Sequence, residues 1–260
     1  MISGGEAPAT ADERDVDLSM VMARDDVGGA GREAAGSLSL GRHSAKADPS
    51  GALFLHEEHM LVVADLHLEK GSSFARRRIF LPPYDTRATL ERLAAVIDTH
   101  APRIVVALGD SFHDDGGGGR LDAGDRERLA ILQRGRQWIW ITGNHDPSPP
   151  AGVGGEVVAE ITTGGIALRH IPGSAPDCRV PFELAGHLHP VAKVASRGQV
   201  VRRRCFAVGA ERCVLPAFGA YAGGLNVRNE AFAPLFPNGM TAHVLGRRTF
   251  AIAAPQLLPD

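Results

Sequence analysis

From Ala52 onward, short apolar runs alternate with turn signals, and the spacing within each run separates strands from helices. Leu61-Val62-Val63-Ala64 is too short and too β-branched for a helix and reads as a buried strand. Ile104 to Leu108, Trp138 to Thr142, Ile166 to Arg169 and Phe182 to Ala185 read the same way. Between the first two lies a helix, because Leu90, Leu93, Ala94 and Ile97 fall at i, i+3, i+4 and i+7, with Asp85 or Thr86 available as N-cap. A weaker helix covers about Ala123 to Arg134, and strands follow near Glu156 to Ile161, Val200 to Val208 and His243 to Ile252. This alternation predicts mixed α/β layers, and the strand-rich second half predicts two sheets packed together.

The 260 residues suit one domain plus a tail. Residues 1–45 are rich in Gly, Ala, Asp and Ser without a sustained period, which predicts a disordered N-terminal tail ahead of one domain over 46–260. That segment holds eight acidic and four basic residues, leaving 22 acidic and 24 basic in the remainder. The folded part is therefore slightly basic, which permits a polyanionic substrate. No apolar run approaches the ~20 residues of a membrane span, and the first residues lack the basic start and apolar stretch of a signal peptide. Cys178, Cys205 and Cys213 form no CxxC pair, which disfavours a thiolate zinc site and points to a reducing, cytoplasmic compartment.

The chemistry collects where strands end. Leu61–Ala64 runs into Asp65-Leu66-His67, and Ile104–Leu108 into Gly109-Asp110. Trp138–Thr142 runs into Gly143-Asn144-His145-Asp146, Ile166–Arg169 into His170, and Phe182–Ala185 into Gly186-His187-Leu188-His189. Ligands of open α/β sheets bind beyond the carboxyl ends of strands, where loops converge. Six of the eleven histidines fall in these segments or just after Asp110: His67, His113, His145, His170, His187 and His189. A lone histidine at a strand end is commonly a hydrogen-bonded core residue, but five ends delivering Asp, His or Asn form a pattern. Carboxylates, imidazoles and one carboxamide without thiolates suit two divalent ions, Mn²⁺ first, with Fe²⁺, Zn²⁺ or Mg²⁺ as alternatives.

These motifs resemble the calcineurin-like metallophosphoesterase superfamily over most of residues 61–190. The resemblance implies an α/β fold, a double β-sandwich flanked by helices in four αββα layers, with the metal site at the strand C-terminal ends. It also implies that Asp65, His67 and His189 hold one ion, that Asn144, His170 and His187 hold a second, and that Asp110 bridges them. A narrower likeness, to the ligase-associated DNA-damage-response metallophosphoesterases of bacteria, rests on Ala64–Gly71, Leu108–Asp114 and Leu215–Val227. It implies endonuclease activity in DNA repair, nucleic acid as substrate, and DNA ligase and helicase as partners. Where many phosphatases of the superfamily have Asp three positions after the bridging Asp, this chain has His113, followed by Asp114. The resulting Gly-Asp-x-Phe-His is similar to the double-strand-break repair nucleases, which favours a phosphodiester.

The expected mechanism places two cations about 3.5–4 Å apart around a shared water, whose hydroxide attacks phosphorus in line with the leaving oxygen. His145 is the candidate general acid, and His113 orients it or places the phosphate. Asp146 braces its loop, Arg76–Arg78 and Arg202–Arg204 are either solvated surface or phosphate contacts, and Glu69 and Lys70 serve either fold or site. Phe218 and Tyr221 stack on a base or belong to a structural turn, and Trp138 and Trp140 alternate about a strand as packing residues. Rival readings are a phosphomonoesterase or small-molecule phosphodiesterase, and a non-catalytic module using metal to stabilise a partner surface.

Overall fold

The computed structural model describes residues 36–148, 152–173, 180–196 and 199–260. Residues 1–35 of the expected tail, and Cys178, lie outside the described residues. Two sheets face each other. The first has the order β1 (Ser37–Leu40), β2 (His43–Ala47), β3 (Leu53–Leu55), β4 (Met60–Val63), β5 (Ile104–Leu108), β6 (Gln137–Ile141) and β7 (Glu156–Val158). Its first four strands form an antiparallel meander, and β4 to β7 run parallel. Parallel strands need crossovers, supplied by α1 (Lys70–Arg76) and α2 (Asp85–His100) before β5, and by α3 (Gly117–Arg120) and α4 (Ala123–Gln133) before β6.

The second sheet is built from β8 (Glu160–Thr163), β9 (Ile166–Arg169), β10 (Phe182–Ala185), β11 (Pro190–Ser196), β12 (Gln199–Val208), β13 (Arg212–Val214) and β14 (Leu225–Asn226). The hairpin β15 (Thr241–Leu245) and β16 (Thr249–Ala253) adds to β12. β9, β10 and β13 are mutually parallel at its centre. Central parallel strands are covered on both faces, so they read as unbroken apolar runs. Leu55, Val62, Leu108 and Ile139 of the first sheet meet Leu168, Phe182, Leu184 and Phe206 of the second in the inter-sheet core. The opposite face of the first sheet packs on Leu90, Leu93, Val96 and Ile97 of α2 and Leu129 and Leu132 of α4. Among the described residues the outer face of the second sheet is covered by Phe232 and Phe236 around a 3₁₀ segment, Glu230–Leu235, with Leu257, instead of an α-helix.

Three expectations change. The tail expected over residues 1–45 does not extend to residue 45, because Leu38, Leu40, Ala45 and Ala47 are buried at period two in β1 and β2 and the sheet starts before residue 46. The apolar stretch Glu156–Ile161 divides at Ala159, with β7 joining the first sheet and β8 the second. Neither Asp85 nor Thr86 caps α2, whose N-cap is Tyr84; Asp85 Oδ2 instead accepts from the Gly71 amide, and Thr86 Oγ1 bonds Glu69. Trp138 and Trp140 share the helix-facing side of β6, their rings 5.4 Å apart, as i and i+2 must in a strand. Cys205 and Cys213 are fully buried, and burial pushes both thiols up, which leaves them inert core residues.

One titration belongs to the fold. Burial holds His243 on β15 down to about 4. A histidine with a folded pKa below its unfolded value of about 6.5 adds stability that is complete above that pH and is lost as pH falls toward the folded value. Urea midpoints at a series of pH values should show His243→Gln with a flatter profile than wild type over that window, where His243 accounts for up to about 3 kcal/mol.

Candidate metal centre

The loops that leave β4 and β5 are zipped together. The amides of Asp65, His67 and Leu68 donate to the carbonyls of Gly109, Asp110 and Ser111, and the His113 amide returns to Leu68. Beside them the segment Ala217–Gly219 lies against the end of β4, with Phe218 N donating to Ala64 O and Gly219 N to Asp65 O. Five of the predicted ligands adopt left-handed backbone angles: Asp65 (φ 53°), His67 (44°), Asp110 (44°), His187 (72°) and His189 (45°). Non-glycine residues rarely take these angles, and their clustering at functional sites reflects conformations imposed by the surrounding structure.

All seven predicted ligands meet at one end of the sandwich. Asp65, His67 and His189 form one group of ligand atoms within 4.8 Å of one another, and Asp110, His170 and His187 form another. Each group draws on both sheets, since β4 and β5 supply Asp65, His67 and Asp110, while the ends of β9 and β10 supply His170, His187 and His189. Asn144 Oδ1 lies 2.9 Å from His170 Nε2, beside the second group. His170 Nδ1 is 3.7 Å from Asp65 Oδ1 and its Nε2 is 3.4 Å from Asp110 Oδ1, so the groups are contiguous.

The donor chemistry fits two cations. His67 Nε2 and His189 Nε2 face each other at 3.3 Å, and His189 Nε2 is 3.3 Å from Asp65 Oδ1. Imidazole nitrogens and carboxylate oxygens crowd together this way when a cation belongs between them. Burial, reinforced by His189, pushes His67 well below its ordinary value, so its imidazole is neutral at pH 7, as a ligand must be. Burial would lower His170, but Asp110 and Asp65 outweigh it and hold His170 up. Burial would likewise raise Asp110, yet hydrogen bonding and charge from His170, with the His145 amide, hold it below the usual carboxylate range.

The two histidines expected to act on substrate lie over this centre. His113 and His145 stack with centroids 5.4 Å apart, each 5.5 Å from the His67 ring. His145 Nδ1 donates to the backbone carbonyl of His113 at 3.2 Å, and Nε2 is 4.0 Å from Asp110 Oδ2. The orienting group is thus the His113 carbonyl, which leaves the His113 imidazole available for another contact. Burial, followed by the charge of Lys70, pushes His113 down to about 4 and keeps it neutral.

These residues match a family model. Residues 59–191, just over half of the chain, fit the calcineurin-like phosphoesterase model. This chain belongs to the calcineurin-like phosphoesterase family. The family's fold and the candidate centre make it a metal-dependent phosphoesterase, a hydrolase. The structure is similar to Pseudomonas putida nuclease MPE, with a TM-score of 0.66 and 26% identity over 84% of this chain and 100% of that one. No curated protein matches the sequence.

Around this phosphoesterase centre the remaining side chains are braces. Asp146, 1% exposed, accepts from the amides of Ser111, Phe112 and Gly143 and so ties the Asp110 and Asn144 loops together. Asp114 bonds Arg120 and the Gly116 amide. Buried Glu69 accepts from Ser72 and Thr86, while Lys70 lies over the Phe74 ring. Arg202 and Arg204 donate to the carbonyls of Gly224 and Ala217, so they hold the glycine-rich segment, whereas Arg76–Arg78 are exposed. Phe218 is fully buried, with Arg92 over its ring, which assigns it to structure. Thr89 and Arg92, which bond Ala220 and Phe218, were not anticipated; their signal is a polar i, i+3 pair beside the apolar stripe of α2.

Proposed function

We propose that this phosphoesterase is a phosphodiesterase acting on nucleic acid, in bacterial DNA repair, with two Mn²⁺ ions and a cytoplasmic location. The observation that carries this reading is the stacked His113–His145 pair over the two ligand groups. A nuclease as structural neighbour supports the substrate class, and the branch resemblance supports the repair role and DNA ligase or helicase partners. Asp65, His67 and His189 would hold one ion, Asn144, His170 and His187 the other, with Asp110 between them. Bound there, the ions would supply Lewis acidity toward phosphoryl oxygens and a lowered pKa for a shared water.

The protein's own groups do the rest. The His113 carbonyl accepts from His145 Nδ1 and so orients the ring with Nε2 facing the Asp110 side. As the imidazolium, with one proton held on Nδ1 and a second on Nε2, half-exposed His145 gives the Nε2 proton to the departing oxygen and is left as the neutral Nδ1–H ring. Neutral His113 donates a hydrogen bond to a non-bridging phosphate oxygen. Exposed Arg76, Arg77 and Arg78, at the end of the helix whose Phe74 contacts His113, meet flanking phosphates.

Among the described residues no helix is long and apolar enough to cross a membrane. The test is hydrolysis of bis-p-nitrophenyl phosphate against p-nitrophenyl phosphate by metal-stripped protein refilled with Mn²⁺. The diester should be preferred, and His145→Asn should lower kcat by about 10²–10⁴-fold with metal content unchanged. Preference for the monoester would overturn the diesterase reading.

A further inference from the structure

At the opposite end of the strands from the phosphoesterase centre, a second set of metal-type ligands closes the seam between the sheets. His43 opens β2, Glu57 and Glu58 form the turn between β3 and β4, and Gly164 lies in the turn between β8 and β9. β4 and β9 run from this end to Asp65 and His170, so their length, about 15 Å, separates the two places. One ligand atom from each of His43, Glu57 and Glu58 lies within 4.8 Å of the others.

The imidazole is oriented as a ligand would be. His43 is 6% exposed, and its Nε2 lies 2.9 Å from the Gly164 carbonyl, which can only accept; this contact, shorter than the 3.4 Å approach of Arg42 Nε to the same nitrogen, calls for the proton on Nε2. A ring nitrogen held by a backbone carbonyl leaves the other nitrogen's lone pair for a metal. That nitrogen, Nδ1, is 3.1 Å from Glu58 Oε1 and 4.0 Å from Glu57 Oε2. Among the described residues, buried Nδ1 nevertheless makes no hydrogen bond, and neither does buried Glu58 Oε2. Two orphaned buried polar atoms facing a carboxylate pair require an explanation. Arg42 Nη2 donates to the same Gly164 carbonyl and so fixes the acceptor beside His43 Nε2. Glu57, 68% exposed, leaves a path to solvent.

We propose that His43 Nδ1, Glu57 and Glu58 bind one divalent transition ion of the Zn²⁺ type, with water completing the shell. One nitrogen and two carboxylate oxygens with an open side match such an ion. Held by Gly164 to β8–β9, the ion site clasps the edge of the first sheet to the second. The role is structural, and it does not depend on the phosphodiesterase reading.

The test compares the full-length chain with its Glu57→Gln/Glu58→Gln variant after dialysis against micromolar Zn²⁺. Native mass spectrometry should count one ion fewer in the variant, with bis-p-nitrophenyl phosphate hydrolysis unchanged. In an Asp110→Ala background, Zn²⁺ should raise the melting midpoint of the chain with intact Glu57 and Glu58, and raise it less after their replacement. His43→Gln, which keeps a polar group at the buried position, should also lose that ion. Equal ion counts, or equal Zn²⁺-induced shifts, would overturn the site and leave a His43–Glu58 ion pair in its place.

Discussion

Asp110→Ala should lower hydrolysis of a phosphodiester by about 10³-fold or more, equivalent to about 4 kcal/mol of lost transition-state stabilisation. The carboxylate serves several parts of the centre at once. Oδ1 lies 3.4 Å from His170 Nε2 and accepts the His145 amide at 2.9 Å, and Oδ2 is 4.0 Å from His145 Nε2. Its removal withdraws the negative charge that both ligand groups share and frees the loop that carries the proposed acid. Metal content, measured alongside activity, should fall below that of wild type. A variant within tenfold of wild-type activity at full metal content would rule out a bridging role for Asp110.

Gly109→Ala should lower activity by about 10²-fold, the cost of displacing a reacting geometry by about 1 Å. Gly109 sits at φ +69°, where an L side chain is strained, and a Cβ there would stand 2.5 Å from Cγ and Nδ1 of the His170 ring. That ring cannot yield, because Nδ1 bonds the Leu108 carbonyl at 2.9 Å and Nε2 lies 2.9 Å from Asn144. The methyl must therefore push on a predicted metal ligand. Gly119→Ala, whose Cβ would meet nothing within 4 Å, is the matched control and should keep wild-type turnover. Parallel assays and thermal melts of the two variants separate local displacement from general instability.

The centre was legible in the sequence because strand termini and ligands are adjacent along the chain. Val63-Ala64-Asp65 and Ala107-Leu108-Gly109-Asp110 each announce an apolar strand and the polar group it delivers. What was not legible depends on contacts between distant residues. Leu38, Leu40, Ala45 and Ala47 alternate over too few positions to stand out against Ser, Gly and Lys, and only pairing with β3 gives β2 a place. The break at Ala159 is invisible locally, because both halves are strands and only their partners differ. Asp85 and Thr86 have the residue types of a cap but are claimed by Gly71 and Glu69, fourteen and seventeen positions away. Likewise, the Arg202–Arg204 cluster reads as either solvated surface or phosphate contacts until the carbonyls of Gly224 and Ala217 are seen to occupy two of its members.

The straddling of both sheets by each ligand group gives the inter-sheet core a second role, that of a spacer. Asp65 and Asp110 ride on one wall of the sandwich and His170, His187 and His189 on the other, so the thickness of the layer between them sets the gap the ligands span. That thickness, about 10 Å in packed sheets, is fixed by side-chain volume. Leu108, Phe182, Leu184 and Phe206 thus act as shims, and a methylene added or removed there is transmitted to the ligand spacing without altering a single polar residue.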